Sequence, residues 1–366
     1  MPSSSPSTRL AEEFDGKHRQ SSSSSRLWSS ARPVEVPTLH MKMEEGTPTR
    51  LWMGAPDRET RSAKRLSSTC VPVVRALVVT WKLSASALRR MGDACSKAKC
   101  FNFGKAFNGD VRGVAWPCGL KKLTFCATLN QPITEVDWPE SLEELIFHGD
   151  FKHPLQGVSW PVSLRVLCLS SVDQPLAGVS WPPSLHTLMF MGNVLDEPIA
   201  GITWPVSLKR LCLGMNFNQP IDTVTWPAPL EFLHLGFSFK QLINAVNWPT
   251  CLKGLTLAVF FNQAIDMDTW PASLKELNIC FNQPIAGVNW PTSLEKLDLG
   301  SDFNQAVEMV TWPASLKEVN FSVEFNQPIG RVRWPASLER LTFGRAFNQP
   351  ITGVSWPGSL KELQFG

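Results

Sequence analysis

Residues 217–236 read FNQPIDTVTWPAPLEFLHLG, and residues 347–366 read FNQPITGVSWPGSLKELQFG. In both, Leu or another apolar residue holds the first, fourth and sixth places of a six-residue run, as in Leu230-Glu231-Phe232-Leu233-His234-Leu235. Alternation at the end of that run predicts a short strand with one buried face. The Gly that follows predicts a turn. The first half of the unit carries Phe, Ile, Val and Trp at set places, so the return path brings its own apolar side chains. Pro after Trp removes a donor and imposes an extended, non-helical backbone. The Asn of the FNQ segment is expected to bond neighbouring backbone groups at the turn.

The unit recurs. Trp-Pro stands at Trp116, Trp138, Trp160, Trp181, Trp204, Trp226, Trp248, Trp270, Trp290, Trp312, Trp334 and Trp356, at intervals of 20–23 residues. The distance from the Phe position to Trp is nine residues in every copy, and from Trp to the next Leu it is four. Every length change falls between the strand and the next Phe, which marks that gap as a surface turn. Phe101-Asn102-Phe103 resembles a leading half unit. Units that cannot bury a face alone stack on one another. The expected fold is therefore a right-handed solenoid of twelve units with a parallel sheet of about 12–13 short strands, roughly 4.8 Å apart. Its returns are expected to be mostly irregular and extended.

Charge supports parallel stacking independently. The two residues after the first Leu are Lys275-Glu276, Glu295-Lys296, Lys317-Glu318, Glu339-Arg340 and Lys361-Glu362 in the last five units. The order inverts at each step, so in register every charge faces its opposite. One like pair breaks the first row, Lys253 with Lys275. Charges that cancel in this way form no single-sign stripe for a phosphate backbone, so the repeats are not expected to bind nucleic acid.

These residues carry a family likeness. FNQPIxxVxWPxSLxxLxLG resembles the FNIP repeat, a branch of the leucine-rich-repeat superfamily, with Trp in place of the usual Ile before Pro. The likeness covers residues 101–366. It implies a leucine-rich-repeat-like solenoid and a protein-interaction role. Some members carry an F-box ahead of the repeats, but residues 1–99 show no such pattern. Departures include Lys152, Asp173, Asp196 and Lys240, which replace the Asn.

Around the repeats, composition sets the other bounds. The chain has 366 residues, 43% of them hydrophobic and 18% charged, which excludes a wholly disordered or collagen-like chain. Residues 1–99 hold 17 basic and 9 acidic residues, a net of +8, which leaves 18 and 23, a net of −5, for residues 100–366. Residues 1–69 are rich in Ser and Arg, lack apolar periodicity and are expected to be a disordered tail. Residues 70–99 are expected to cap the solenoid, with a short helix starting near Ser84 or Ser86. The basic tail offers an alternative function: contact with nucleic acid or an anionic surface.

Nine cysteines without a CxxC pair are expected to be reduced thiols, and no zinc site or cofactor is expected. No signal-peptide pattern opens the chain, and residues 71–83 are too short and too charged to span a bilayer. A cytoplasmic or nuclear location is the expectation. Catalytic motifs are absent, so no enzyme is expected. The twelve Trp are expected to pack in or near the core rather than to stack on sugars.

The residue between the second and third Leu of each strand is expected to face solvent. Most are small or polar, but Ile146, Cys168, Met189 and Cys212 are apolar, and Val166 and Met191 border them. Such a strip suits a protein partner, not identified by sequence. Drift, or a tail segment folded over the strip, would also explain it. Gly366 follows a strand with no polar cap, so the last unit's core face is expected to be exposed, covered end to end by a second copy, or continued in a longer protein.

Overall fold

One sheet runs through the described residues. A computed structural model describes residues 98–366 except 105–106, 126–128, 173, 193–195, 258–259 and 266–269, together with the backbone of 38–44, 47–53 and 76–79. In chain order the strands are β1 Thr38–Glu44, β2 Thr47–Met53, β3 Ala76–Val79, β4 Cys100–Phe103, β5 Lys122–Phe125, β6 Glu144–Phe151, β7 Val166–Val172 and β8 Thr187–Phe190. They continue as β9 Arg210–Cys212, β10 Phe232–His234, β11 Gly254–Thr256, β12 Glu276–Asn278, β13 Lys296–Asp298, β14 Glu318–Asn320, β15 Arg340–Phe343 and β16 Glu362–Phe365. From β16 back to β3 the sheet order simply follows the chain, and β1 and β2 complete the other end. Every neighbouring pair from β3 to β16 is parallel, while β1 and β2 pair antiparallel.

Strands β4 to β16 are the thirteen parallel strands of a leucine-rich-repeat-like solenoid, as the 22-residue period implies. The leading half unit is its strand half: Phe101 and Phe103 pair with Leu123 and Phe125. Strands β1 and β2 lie within residues 1–69, where no element was expected, and β3 lies in the expected cap. The rest of residues 1–97 lies outside the described residues, and with it the tail's expected disorder and the cap helix.

The register follows from the Leu positions. Leu211, Leu233, Leu255, Leu277 and Leu297 face one another across successive strands and are at most 2% exposed. Phe at the start of most units forms a second row. Phe217 and Phe239 stack with centroids 6.2 Å apart and planes 3° apart, and Phe325 and Phe347 do so at 6.0 Å and 1°. The Trp residues form a third row, with Trp312 and Trp334 stacked at 6.0 Å. Trp138, Trp204, Trp226, Trp270, Trp290, Trp312 and Trp334 are buried and others are half-buried against the same core, so the expected core role holds. The indole N–H groups of ten Trp are buried without an acceptor. The position uses the ring, and the donor is carried at a cost.

Polar ladders run beside the apolar ones. The amide N–H of Asn304 donates to Asn282 Oδ1 at 2.9 Å, and that of Asn326 donates to Asn304 Oδ1 at 2.9 Å. Each following Gln adds its Nε2: Gln305 donates to Asn282 Oδ1 at 2.9 Å. Ser of the WPxSL segment donates to a Leu carbonyl of the preceding unit, as from Ser315 to Leu294 at 2.6 Å. The Asn and Ser recur because each supplies the backbone partner that an irregular return path lacks. Glycine is demanded where turns touch: Gly236 has φ +81°, and a Cβ there would lie 1.8 Å from the Gly214 carbonyl oxygen.

Candidate protein-binding surface

The strand face carries two kinds of surface. From β12 onward it is a charge lattice. Glu295 is bridged by Lys275 at 2.8 Å and Lys317 at 2.7 Å, and Glu318 by Lys296 and Arg340 at 2.7 Å each. Two bonds from lysine ammonium groups hold the Glu295 carboxyl well down, to about 2. These carboxylates are bridged by their neighbours' cations, as the inverted order of the sequence leads one to expect.

From β6 to β9 the centre of the face is apolar. Ile146, Cys168, Met189 and Cys212 stand side by side in register on four successive strands. Val166 is in register with Glu144 and Thr187 on the same faces of β6 and β8. Ile146, Val166, Met189 and Cys212 are half-buried, and Met191 is 47% exposed. Cys168 departs from the expectation that this row faces solvent. It is 2% exposed, because the short thiol sits between the longer Ile146 and Met189. Burial pushes its thiol up to about 12, with the Glu144 carboxylate adding to the effect and Lys122 opposing it. Burial also raises Cys212, whose Sγ lies 3.9 Å from the Phe190 carbonyl oxygen. Neither supplies a thiolate nucleophile near neutrality.

Beyond these residues the structure adds a rim that sequence reading missed. Met191 N–H donates to the Leu169 carbonyl, Met215 N–H to Gly192, Phe237 N–H to Met215 and Phe260 N–H to Phe237, at 2.8, 3.1, 3.0 and 3.2 Å. These bonds string the turns after successive strands together, so Met191, Met215, Phe237 and Phe260 form one line. The last three are 38%, 39% and 51% exposed. His234 joins this rim to the strand row: its ring meets the Phe237 ring edge-on at 6.1 Å, and its Nδ1 accepts from Gly236 N–H at 3.0 Å. Burial holds the His234 imidazole below its ordinary pKa. Phe232 also faces outward on β10, under the Arg210 guanidinium at 4.0 Å, and Lys240 Nζ lies 5.6 Å from the Phe260 ring. The available signal was Phe and Met inside the tolerant gap, directly after Gly at Met215 and Phe237.

Among the described residues no group of three or more His, Cys, Asp or Glu is placed to hold a metal ion, and His148 is exposed. The six described cysteines are free. No described helix is long and apolar enough to cross a membrane. At the far end the ladder residues are uncovered: Ile351 is 42% and Phe365 49% exposed, where their counterparts Ile329 and Phe343 are at 0%.

Comparison with known proteins places this surface in context. The FNIP Repeat family model matches residues 129–172, 261–302, 281–323 and 325–366. Among solved structures, the protein CroV588, described as a novel circular LRR protein structure, aligns at 28% identity and a TM-score of 0.58 over 80% of this chain and 50% of its own. YopM from Yersinia enterocolitica WA-314 aligns at 20% identity and a TM-score of 0.50 over 79% of this chain and 63% of its own. The chain thus spans half the length of the first and under two thirds of the second. Comparison with curated proteins gives no match. Residues 173–260, between family matches, hold Met189, Met191, Cys212, Met215, Phe232, Phe237 and Phe260.

Proposed function

Because this chain is built of FNIP repeats in a leucine-rich-repeat-like solenoid, we propose that it is a non-enzymatic scaffold that binds a protein partner on its strand face. The contact surface is the apolar row of Ile146, Val166, Cys168, Met189 and Cys212 with Met191 at its edge. The observation that carries this reading is the contrast along one sheet. At β12 to β16 Glu295 and Glu318 are each bridged by two cations of that face, whereas β6 to β9 place apolar side chains side by side. Contiguous exposed apolar surface with adaptable Met side chains suits a protein contact. Cys168 forms the floor of the row, and Met189 and Met191 are its accessible part.

The test is affinity capture from a native lysate with the full chain and with its Met189→Glu, Met191→Glu variant, both checked for folding by circular dichroism. A protein retained by the first and lost from the second is the expected outcome. A captured protein that the variant holds equally well would sink the reading. If capture instead depends on the basic tail and falls steeply with salt, the contact belongs to an anionic partner. Free cysteines fit a reducing compartment, and we place the scaffold in the cytoplasm or nucleus on that ground.

A further inference from the structure

We propose that His234 is a proton-operated latch on the turn after β10: the neutral ring holds residues 236–238 in place, and protonation of the ring releases them, Phe237 included. The latch needs no partner and stands apart from the protein-binding reading. It is built from one hydrogen bond, the turn which that bond closes, and the groups around the ring.

The bond has a fixed polarity. Gly236 N–H donates to His234 Nδ1 at 3.0 Å. A backbone N–H can only donate, so Nδ1 keeps its lone pair and the ring proton sits on Nε2. An imidazolium carries a proton on each nitrogen and cannot accept. Protonation therefore turns an attraction into two N–H groups aimed at each other. His153 and His186 differ. Their rings donate to the carbonyls of Asn130 at 3.1 Å and Ser184 at 2.6 Å, which a protonated ring does equally well.

The turn depends on this bond. Gly236 lies in the left-handed region at φ +81° and is packed against the Gly214 carbonyl, so it has little room on that side. Phe237 N–H and Ser238 N–H both donate to the Met215 carbonyl, at 3.0 and 2.9 Å. Those two bonds tie the turn to the preceding unit, and the His234 bond ties it to its own strand. The edge-on contact of the His234 and Phe237 rings, 6.1 Å between centroids, carries the state of the ring to the exposed side chain. A second unit closes its turn in the same way. Asp298 Oδ1 accepts from Gly300 N–H at 3.0 Å, and Gly300 has φ +71°. A carboxyl group keeps an acceptor oxygen in either protonation state, whereas an imidazolium keeps none. The same turn is thus proton-sensitive after β10 and not after β13.

The surroundings favour the neutral ring. β9 presents Cys212 in register with His234, a thiol that burial keeps protonated, and Arg210 two residues earlier. β11 presents Thr256, and the rim beside the ring carries Met215 and Phe237. Glu231, the carboxylate just before β10, is bridged by Lys209 and Lys253 at 3.2 and 2.9 Å. Burial pulls the ring below its ordinary 6.5, with its own backbone opposing the shift. The folded value lies below the unfolded one, so the latch is fully closed above 6.5 and is lost as pH falls through the folded value.

Ring and turn are read in the same full-length protein. The His234 ring is followed by its carbon and nitrogen NMR resonances from about pH 8 to about pH 4.5, assigned by their absence from His234→Asn. Amide exchange is followed by mass spectrometry about one pH unit either side of the ring's midpoint, corrected for the intrinsic pH dependence of exchange. The expected result is a midpoint below 6.5 and, on its acid side, corrected exchange about tenfold faster at residues 236–238. The turn at residues 300–302 should show no such step. His234→Asn supplies an oxygen that accepts from the N–H two residues on without titrating, and should keep the turn protected on both sides. His234→Leu has no acceptor and should exchange about tenfold faster on both sides. A ring that titrates with no step at 236–238 overturns the proposal. So does a step that persists in His234→Asn, a His234→Leu turn as protected as the parent's, or a ring that stays neutral down to about pH 4.5. Circular dichroism checks folding, and if His234→Leu fails to fold, the parent, the turn at 300–302 and His234→Asn still decide.

Discussion

At the scale of single residues, the Asn ladder shows why a side chain recurs. Asn282 Oδ1 accepts from the Asn304 N–H and the Gln305 Nε2, both at 2.9 Å. Asn282→Ala leaves a half-buried amide without its acceptor and should cost about 1–3 kcal/mol. Asn282→Asp should cost far less, because Asp196 already does this work for Asn218 N–H at 2.9 Å and for Gln219 Nε2 at 3.0 Å. Urea unfolding of the two variants checks the order, and equal losses would refute the ladder's role. Sequence reading placed the Asn at a turn correctly. It treated Asp196 as a departure from the pattern, whereas an acceptor oxygen in the same place makes the same bonds. Lys240, which lacks such an oxygen, still donates its N–H to Asn218 Oδ1 at 2.8 Å. What it cannot do is accept from the following unit.

At the scale of elements, strand-face charge makes the sheet sensitive to acid. Glu295, 32% exposed in its side chain, is held by Lys275 and Lys317. Its folded value of about 2 lies below the ordinary 4.5, so its contribution is full above 4.5 and is lost as pH falls toward 2. Glu295→Gln should therefore lower the urea midpoint modestly near neutrality, since exposed pairs are weak, and flatten its fall between about pH 4.5 and 2. A fall as steep as the parent's would show that the carboxylate contributes nothing. The pairing itself was legible in the sequence, because inverted dipeptides have one consistent register. The rim was not. The gap after the strand runs from two to five residues between the last apolar strand position and the next Phe position, as at Ile279–Phe281 and at 190–195. Met215 and Phe237 stand two residues before the next Phe, and Phe260 one residue before. Only the backbone bonds between turns bring them into line.

At the scale of the whole molecule, each unit touches only its neighbours, so stability is expected to be local. Phe325 stacks on Phe303 at 6.1 Å, Phe347 at 6.0 Å and Phe321 at 4.2 Å. Phe325→Ala should cost about 3–5 kcal/mol. Hydrogen exchange should then show protection lost in β13 to β16 and kept from β4 to β9. Uniform loss would mean that the solenoid unfolds as one cooperative body. The amino-acid sequence by itself determined the period, the parallel strands, their register and the Phe, Trp and Asn ladders. It could do so because every unit meets copies of itself at a set spacing, so one repeat describes its own surroundings. Only the tertiary structure decided that Cys168 is a floor rather than a thiol in solvent, and that Met191, Met215, Phe237 and Phe260 share one rim. Those outcomes depend on which particular side chains flank a position on the neighbouring strands and turns, and a repeat leaves them open wherever its copies differ.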